Sequence, residues 1–289
     1  MKPAPFRYED PATLEMALEL LAEHGDEAAI LAGGQSLVPL LNTRALRPGV
    51  VIDVNRIPGL HLIEIGPDHV RIGALARAGA LERDRGLGSA LPILRDALRY
   101  VAVPQVRART TIGGSVAYAD PAAELPAVVA ALDGEIELAS KGGGRTVAWR
   151  EFFRLPYAPA RRPDELIVAV RLARRAGLGF AFTEVGRRRI APALAGACTG
   201  LARTNGAVEA ARIIVAAMRS GPLRLDVAER ALVGRALDEG ALAALGREVV
   251  AELAPHAEGL DEADYRIRVT ATMVCRDAQA LWEEAGRAS

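Results

Sequence analysis

The sequence predicts an α+β protein: a two-part domain over residues 1–177 (subparts about 1–55 and 56–177), then a smaller sheet-and-helix domain over 178–289. Three observations carry that prediction. A short apolar strand, Ala28 to Ala32, runs straight into Gly33-Gly34, and helical spacing resumes from Gln35 before a second strand, Val50-Val-Ile-Asp-Val54. The middle of the chain alternates in hairpin fashion around Gly66-Pro-Asp68 and again around Lys141-Gly-Gly-Gly144, a period of two being the mark of half-buried strands. The remainder places strands on either side of Asn205-Gly206, a strong tight-turn signal, ahead of three helical stretches.

Each element has its local reason. Leu14, Ala17, Leu18 and Leu21 fall on one helical face between Pro11 and His24, and Gly25 ends that helix. With the strand before Gly33-Gly34 and the strand after it, this makes a βαβ-like unit. Leu62 to Gly73 reads as a hairpin, Leu91 to Val101 as a helix, Glu135 to Val147 as a second hairpin, and Glu165 to Leu172 as a strand ending in a basic, glycine-containing connection. Beyond it, Phe180 to Val185, Ala193 to Ala202 and Val208 to Met218 read as strands. Asp226 to Leu232, Ala241 to Ala254 and Asp261 to Ala285 read as helices.

Composition removes several classes of function. The 289 residues are 51% hydrophobic and 25% charged, and 36 basic side chains balance 36 acidic ones. That balance provides no overall field to draw in nucleic acid. No stretch is long and apolar enough for a transmembrane helix, and Met1-Lys-Pro-Ala-Pro-Phe6 lacks the apolar core of a signal peptide, which predicts a cytoplasmic protein. The two cysteines, Cys198 and Cys275, stand far apart and read as buried, reduced core residues. Four thiolates are the usual complement for an iron–sulfur cluster. His24, His61, His69 and His256 are scattered without metal-ligand spacing, so no metal site is expected. Arg187-Arg-Arg189 reads as a solvated or subunit-facing surface.

Chemistry concentrates at two double glycines. In Ile30-Leu-Ala-Gly-Gly-Gln-Ser-Leu37, residues without a Cβ can bring bare N–H groups into a concave anion site at the start of a helix. Gln35 and Ser36 add side-chain donors. Thr111-Ile-Gly-Gly-Ser115 repeats the arrangement, with Thr111 and Ser115 as hydroxyl donors. Two such turns facing one another suit two adjacent phosphates, as in a dinucleotide. Neither the G-x-G-x-x-G fingerprint nor a P-loop is present, so the expected architecture is not a Rossmann fold.

Ala32 to Leu37 followed by Pro39 to Arg44, Arg47-Pro48 and Ile52-Asp53 resembles the FAD-binding medium subunit of molybdenum hydroxylases, the family of the aerobic carbon monoxide dehydrogenase medium subunit and the xanthine dehydrogenase FAD domain. Thr111 to Pro126, Pro163-Asp-Glu-Leu-Ile167, Pro222, Glu229, Leu232-Val-Gly234 and Asp264-Tyr-Arg266 continue the resemblance in order along nearly the whole chain. It implies a two-part FAD-binding domain and a small C-terminal domain of antiparallel sheet plus helices. By position, Ile30, Leu31, Ala32, Gly33, Gly34, Gln35, Ser36 and Leu37 would wrap one side of the FAD pyrophosphate. Thr111, Ile112, Gly113, Gly114 and Ser115 would take the other. Asp120 and Glu124 would share a cofactor loop, Leu166 would make an apolar contact, and Val101 or Val103 would line the flavin pocket.

The implied role is electron transfer. Partner subunits would carry the molybdenum cofactor and the iron–sulfur clusters, and electrons would pass from the clusters through FAD to NAD, a quinone or oxygen. No catalytic acid, base or nucleophile is expected on this chain. Two alternatives compete: a stand-alone FAD-dependent oxidoreductase acting on a small molecule, and a non-enzymatic scaffold that has lost FAD. The sequence departs from the family pattern at Ser115, where asparagine or aspartate is common, at Glu124, one methylene longer than the usual aspartate, and between Thr183 and Pro192, where relatives often carry lysine at the first position and a polar acidic turn later.

Overall fold

The computed structural model describes residues 2–188, 191–218 and 221–288. Its first layer is a small parallel sheet. β1 (Arg7–Glu9), α1 (Leu14–His24), β2 (Ala28–Leu31), α2 (Leu37–Thr43) and β3 (Val50–Asp53) follow in order, and the strands lie in the order β1-β3-β2. Thr13 sets the start of α1, because its Oγ1 accepts a hydrogen bond from the Met16 amide at 3.3 Å, so the helix begins at Leu14, the first residue of the apolar face, and not at Pro11. Central β3 buries Val50, Val51 and Ile52, as a parallel strand covered on both faces should. The edge strand β1 was not predicted. Arg7-Tyr8-Glu9 has no apolar alternation and is held by its backbone ladder to β3.

The second layer contains β4 (Ile63–Ile65), β5 (His69–Gly73), α3 (Ala78–Arg83), α4 (Arg85–Ala90), α5 (Pro92–Leu98), α6 (Pro104–Arg107), α7 (Ile112–Tyr118), α8 (Glu124–Ala131), β6 (Glu135–Ser140), β7 (Gly143–Ala148), α9 (Trp149–Phe152) and β8 (Leu166–Ala173). The strands make one antiparallel sheet in the order β4-β5-β8-β6-β7. Both predicted hairpins are present. The helix expected over 91–101 ends at Leu98, because Ala102 turns the chain with φ +39° and Pro104 opens α6. The short α3 and α4 escape the periodicity argument, since glycines at 79, 86 and 88 dilute it; Asp84 caps α4 by accepting from the Leu87 amide at 2.8 Å.

The third layer consists of β9 (Gly179–Gly186), β10 (Ala193–Thr204), β11 (Ala207–Ala216), β12 (Leu223–Arg224), α10 (Asp226–Leu232), α11 (Glu239–Ala257) and α12 (Ala263–Ala288). Its antiparallel sheet runs β12-β11-β10-β9. Asn205 and Gly206 both take positive φ, 53° and 76°, the signature of a primed two-residue turn. This sheet is buried on both faces. Ala197, Ile213 and Val215 pack toward α10, α11 and α12, while Phe182, Cys198, Ile214 and Ala216 join the core that includes Leu94 and Leu98 of α5 and Val128 of α8. That double burial explains why Ile213 to Met218 reads as an unbroken apolar run.

Polar contacts pin the same junction. The Ala217 amide donates to the Pro121 carbonyl at 2.7 Å, and Arg212 grips Asp133 with two bonds of 2.9 and 2.7 Å. Cys198 is fully buried and burial pushes its thiol pKa up, as expected of a core residue. Cys275 is only partly buried; it lies beside the groove where α12 crosses Gly246 of α11. No helix among the described residues is long and apolar enough to cross a membrane.

Candidate functional site

The first glycine turn is built as an open donor array. β2 delivers the chain to Gly33 and Gly34, and Gly34 takes φ +75°. The amides of Gly33, Gly34, Gln35, Ser36 and Leu37 make no hydrogen bond to any described residue, while the Gly34 carbonyl already receives the Val38 amide at 3.0 Å to begin α2. Five successive unspent N–H groups at a helix start form the backbone concavity that receives anions. Gln35 folds back, donating to the Gly33 carbonyl at 3.4 Å.

The second double glycine is not a bare turn. Gly113 and Gly114 lie in the first turn of α7, whose N-cap is Thr111. Its amides are committed to the fold: Ile112 donates to the Ala76 carbonyl (3.1 Å), Gly113 to Ala74 (2.9 Å), Gly114 to the Thr111 hydroxyl (3.1 Å) and Ser115 to the Thr111 carbonyl (3.0 Å). This corrects the expectation that both turns present free main-chain donors. Gly113 is glycine for packing, since a Cβ there would stand 2.5 Å from that of Ala74. Thr111, only 1% exposed, is consumed as a cap. Ser115 retains a hydroxyl with no partner among the described residues.

The two motifs nevertheless touch. A Cβ on Gly33 would lie 2.3 Å from the Arg109 carbonyl oxygen and 3.2 Å from the Thr110 Cα. Around that contact stand residues that the sequence reading did not single out. Asn55 donates to the Ala32 carbonyl at 2.8 Å and to Asp53 Oδ1 at 2.6 Å, and the Tyr8 hydroxyl donates to Asp53 Oδ2 at 2.7 Å. Arg77 donates to the Arg109 carbonyl at 2.5 Å and to Asn55 Oδ1. The Asp53-x-Asn55 spacing at a strand end is an Asx-turn signal that could have drawn attention to Asn55; Arg77 has no local signature.

Beyond α7 the chain turns at Ala119, with φ +50°. Asp120 closes this loop by accepting from the Ala122 amide at 2.9 Å and the Tyr157 hydroxyl at 3.1 Å. Glu124 opens α8 half-buried, and burial, reinforced by the Asp120 charge, pushes its pKa up to about 7. Glu184 on β9 is pushed up to about 8, first by burial and then by the charge of Glu124. Alternation along β9 puts Glu184 on the face of Phe182, toward the second layer, and turns Thr183 the other way, where its hydroxyl donates to Asp277 at 2.8 Å. Of the anticipated departures on that strand, Thr183 therefore belongs to the contact with α12, and Glu184 is the polar group on the side of α8. Arg189 and Ile190 lie outside the described residues, and Arg187 pairs with Glu262 at 3.0 Å.

Ile30, Leu31 and Ala32 are half-buried in and just after β2. Val101 is buried in the large core, and Leu166 is buried at the start of β8 against the first layer, in one cluster with Ile52 and Leu75. Among the described residues, no group of three or more His, Cys, Asp or Glu side chains could hold a metal ion.

Comparison with known proteins covers nearly the whole chain. Residues 4–174 match the model of the FAD binding domain in molybdopterin dehydrogenase, and residues 180–281 that of the CO dehydrogenase flavoprotein C-terminal domain. The chain is 41% identical over 284 residues to the 6-hydroxypseudooxynicotine dehydrogenase complex subunit alpha of Paenarthrobacter nicotinovorans, covering 97% of this chain and 96% of that one. Its fold is similar to a chain of the carbon monoxide dehydrogenase from Hydrogenophaga pseudoflava, with a TM-score of 0.92 and 34% identity over 98% of this chain and 99% of that one. It is also similar to a chain of quinoline 2-oxidoreductase from Pseudomonas putida 86, with a TM-score of 0.91 and 31% identity over 99% of each.

Proposed function

The chain belongs to the family of FAD-binding domains of molybdopterin dehydrogenases, and from that premise we propose that it is the electron-transfer subunit of a heteromeric molybdenum hydroxylase. FAD is the cofactor of this chain. The observation that carries the reading is the run of five unspent amides from Gly33 to Leu37, set directly against the backbone of the second glycine motif. Hydrogen-bond donors fixed in place before the ligand arrives favour a diphosphate without reorganisation.

In this reading the amides of Gly33 to Leu37 hold the diphosphate, with Ile30, Leu31 and Ala32 shaping the approach. Ser115 supplies a hydroxyl, Thr111 to Gly114 form the opposing wall, Asp120 and Glu124 shape the loop beyond it, and Val101 and Leu166 contribute apolar surface beneath. FAD held by these residues would supply the redox chemistry that links iron–sulfur clusters of a small partner subunit to NAD, a quinone or oxygen, with the molybdenum cofactor on a large partner subunit. This chain's own residues bind, orient and shield. The same reading divides the chain at about residue 177 into cofactor domain and C-terminal domain, and places the complex in the cytoplasm.

Purification from its native source tests this. The expected result is a yellow protein that releases one FAD per chain on denaturation and co-purifies with a cysteine-rich chain and a large molybdenum-containing chain. An isolated, FAD-loaded chain that oxidised a small molecule at full rate would establish the stand-alone alternative instead, and a chain with no affinity for FAD would leave only the scaffold.

A further inference from the structure

We infer that Arg77 is the counter-charge of the FAD diphosphate and the brace that holds the two glycine motifs together; the inference rests on the FAD reading above. Its guanidinium joins both motifs directly. One arm donates to the carbonyl of Arg109, the same oxygen against which Gly33 packs, and the other to Asn55, whose amide in turn holds the Ala32 carbonyl at 2.8 Å. The backbone of Arg77 is tied in as well, by an antiparallel bridge to Thr111 flanked by a 2.8 Å bond from the Ala78 amide to the Thr110 carbonyl.

What makes this more than bracing is the charge. Arg77 forms no ion pair with a carboxylate among the described residues. The charge of Asp53 acts on it in the favourable direction from beyond contact, the Asp53 oxygens being engaged by the Asn55 amides and the Tyr8 hydroxyl. The other charge close enough to influence Arg77 is a second cation, Arg109, which with burial lowers the Arg77 pKa. A half-buried guanidinium stays charged, so beside five bare amides there is a positive centre that no carboxylate among the described residues contacts directly. Among the described residues, two of its five N–H donors are used. A diphosphate presents the paired acceptor oxygens that such a planar donor fork matches.

The test is FAD affinity of the full-length, FAD-stripped chain, titrated by flavin fluorescence at several salt concentrations for wild type, R77K, R77Q and R77M, with thermal unfolding of each FAD-free protein alongside. Loss of the charge-assisted contact is expected to weaken FAD by roughly 10- to 100-fold in R77M and R77Q and to flatten the salt dependence of binding. In R77K the salt dependence stays near wild type while affinity falls several-fold, because an ammonium cannot span both motifs and the ligand. R77Q or R77M binding FAD with wild-type affinity and wild-type salt dependence would overturn the counter-charge. R77K with unchanged affinity would overturn the brace, and decides the matter if the neutral variants do not fold. Wild type failing to bind FAD would instead sink the underlying reading.

Discussion

The carbonyl oxygen of Arg109 occupies the place a side chain on Gly33 would need, 2.3 Å from the position of the missing Cβ. Two stretches of chain more than seventy residues apart are thereby locked backbone to backbone, and the free amides of the first motif are fixed in direction by the second.

Gly33→Ala should therefore destabilise the protein by about 1–3 kcal/mol, as overpacking against an unyielding backbone does, and should also weaken FAD. Gly113→Ala meets the Ala74 Cβ at 2.5 Å and should cost a similar amount. Gly142→Ala, whose Cβ would meet only the Ser140 hydroxyl at 3.7 Å, is the neutral control. Chemical denaturation with and without FAD separates the stability effect from the binding effect.

Thr111→Val removes a cap while preserving shape. The Gly114 amide loses its acceptor at a site where Thr111 is 1% exposed, so a loss of about 1–2 kcal/mol is expected. FAD affinity should fall less than in Gly33→Ala, since the hydroxyl serves the helix. A larger loss of FAD than of stability would reassign Thr111 to the ligand.

Glu124 and Glu184 predict a pH dependence. Both carboxyls are raised by folding from the ordinary 4.5, to about 7 and about 8. The folded state therefore holds their protons more tightly than the unfolded state. Their contribution is most favourable below about pH 4.5, declines as pH rises through 7 to 8, and then levels off. Glu184→Gln removes its share of the decline. Melting temperatures of the FAD-free protein should match wild type near pH 5 and exceed it near pH 9; an equal gain at both values would refute the assignment.

Glu229 is a structural carboxylate. Only 4% exposed, it accepts from the Ile213 amide at 2.8 Å and from Arg224 at 2.6 to 3.0 Å, tying α10 to β11 and β12. Glu229→Ala leaves the Ile213 amide without its acceptor and Arg224 with only its Asp226 contact at 3.0 Å, and should lower stability by about 3 kcal/mol in urea denaturation, with FAD affinity unchanged.

The strands and long helices were legible because their apolar periods are undiluted. Val50 to Ile52, the two hairpins, the Asn205-Gly206 turn and the three C-terminal helices all stand where the pattern places them. The first glycine motif was legible too, since a double glycine after an apolar strand has few other uses when a helix follows. The second was misread in its chemistry. Thr111-Ile-Gly-Gly carries a capping threonine as plainly as a phosphate turn, and nothing local reveals that Ala74 and Ala76 will claim its amides. Arg77, Asn55 and Glu184 were invisible for the same reason: each acquires its role from a segment distant in sequence. The edge strand β1 was missed because it has no apolar alternation: its backbone ladder to β3 and the Tyr8–Asp53 hydrogen bond hold it.

The sheet that closes the chain has a consequence for how the protein comes apart. With Phe182, Cys198, Ile214 and Ala216 turned into the core shared with α5 and α8, the C-terminal third is an inner wall of the cofactor domain as much as a module of its own. Nicking the exposed connection around Arg174 to Gly177 should leave the two fragments tightly associated, and either one made alone should precipitate.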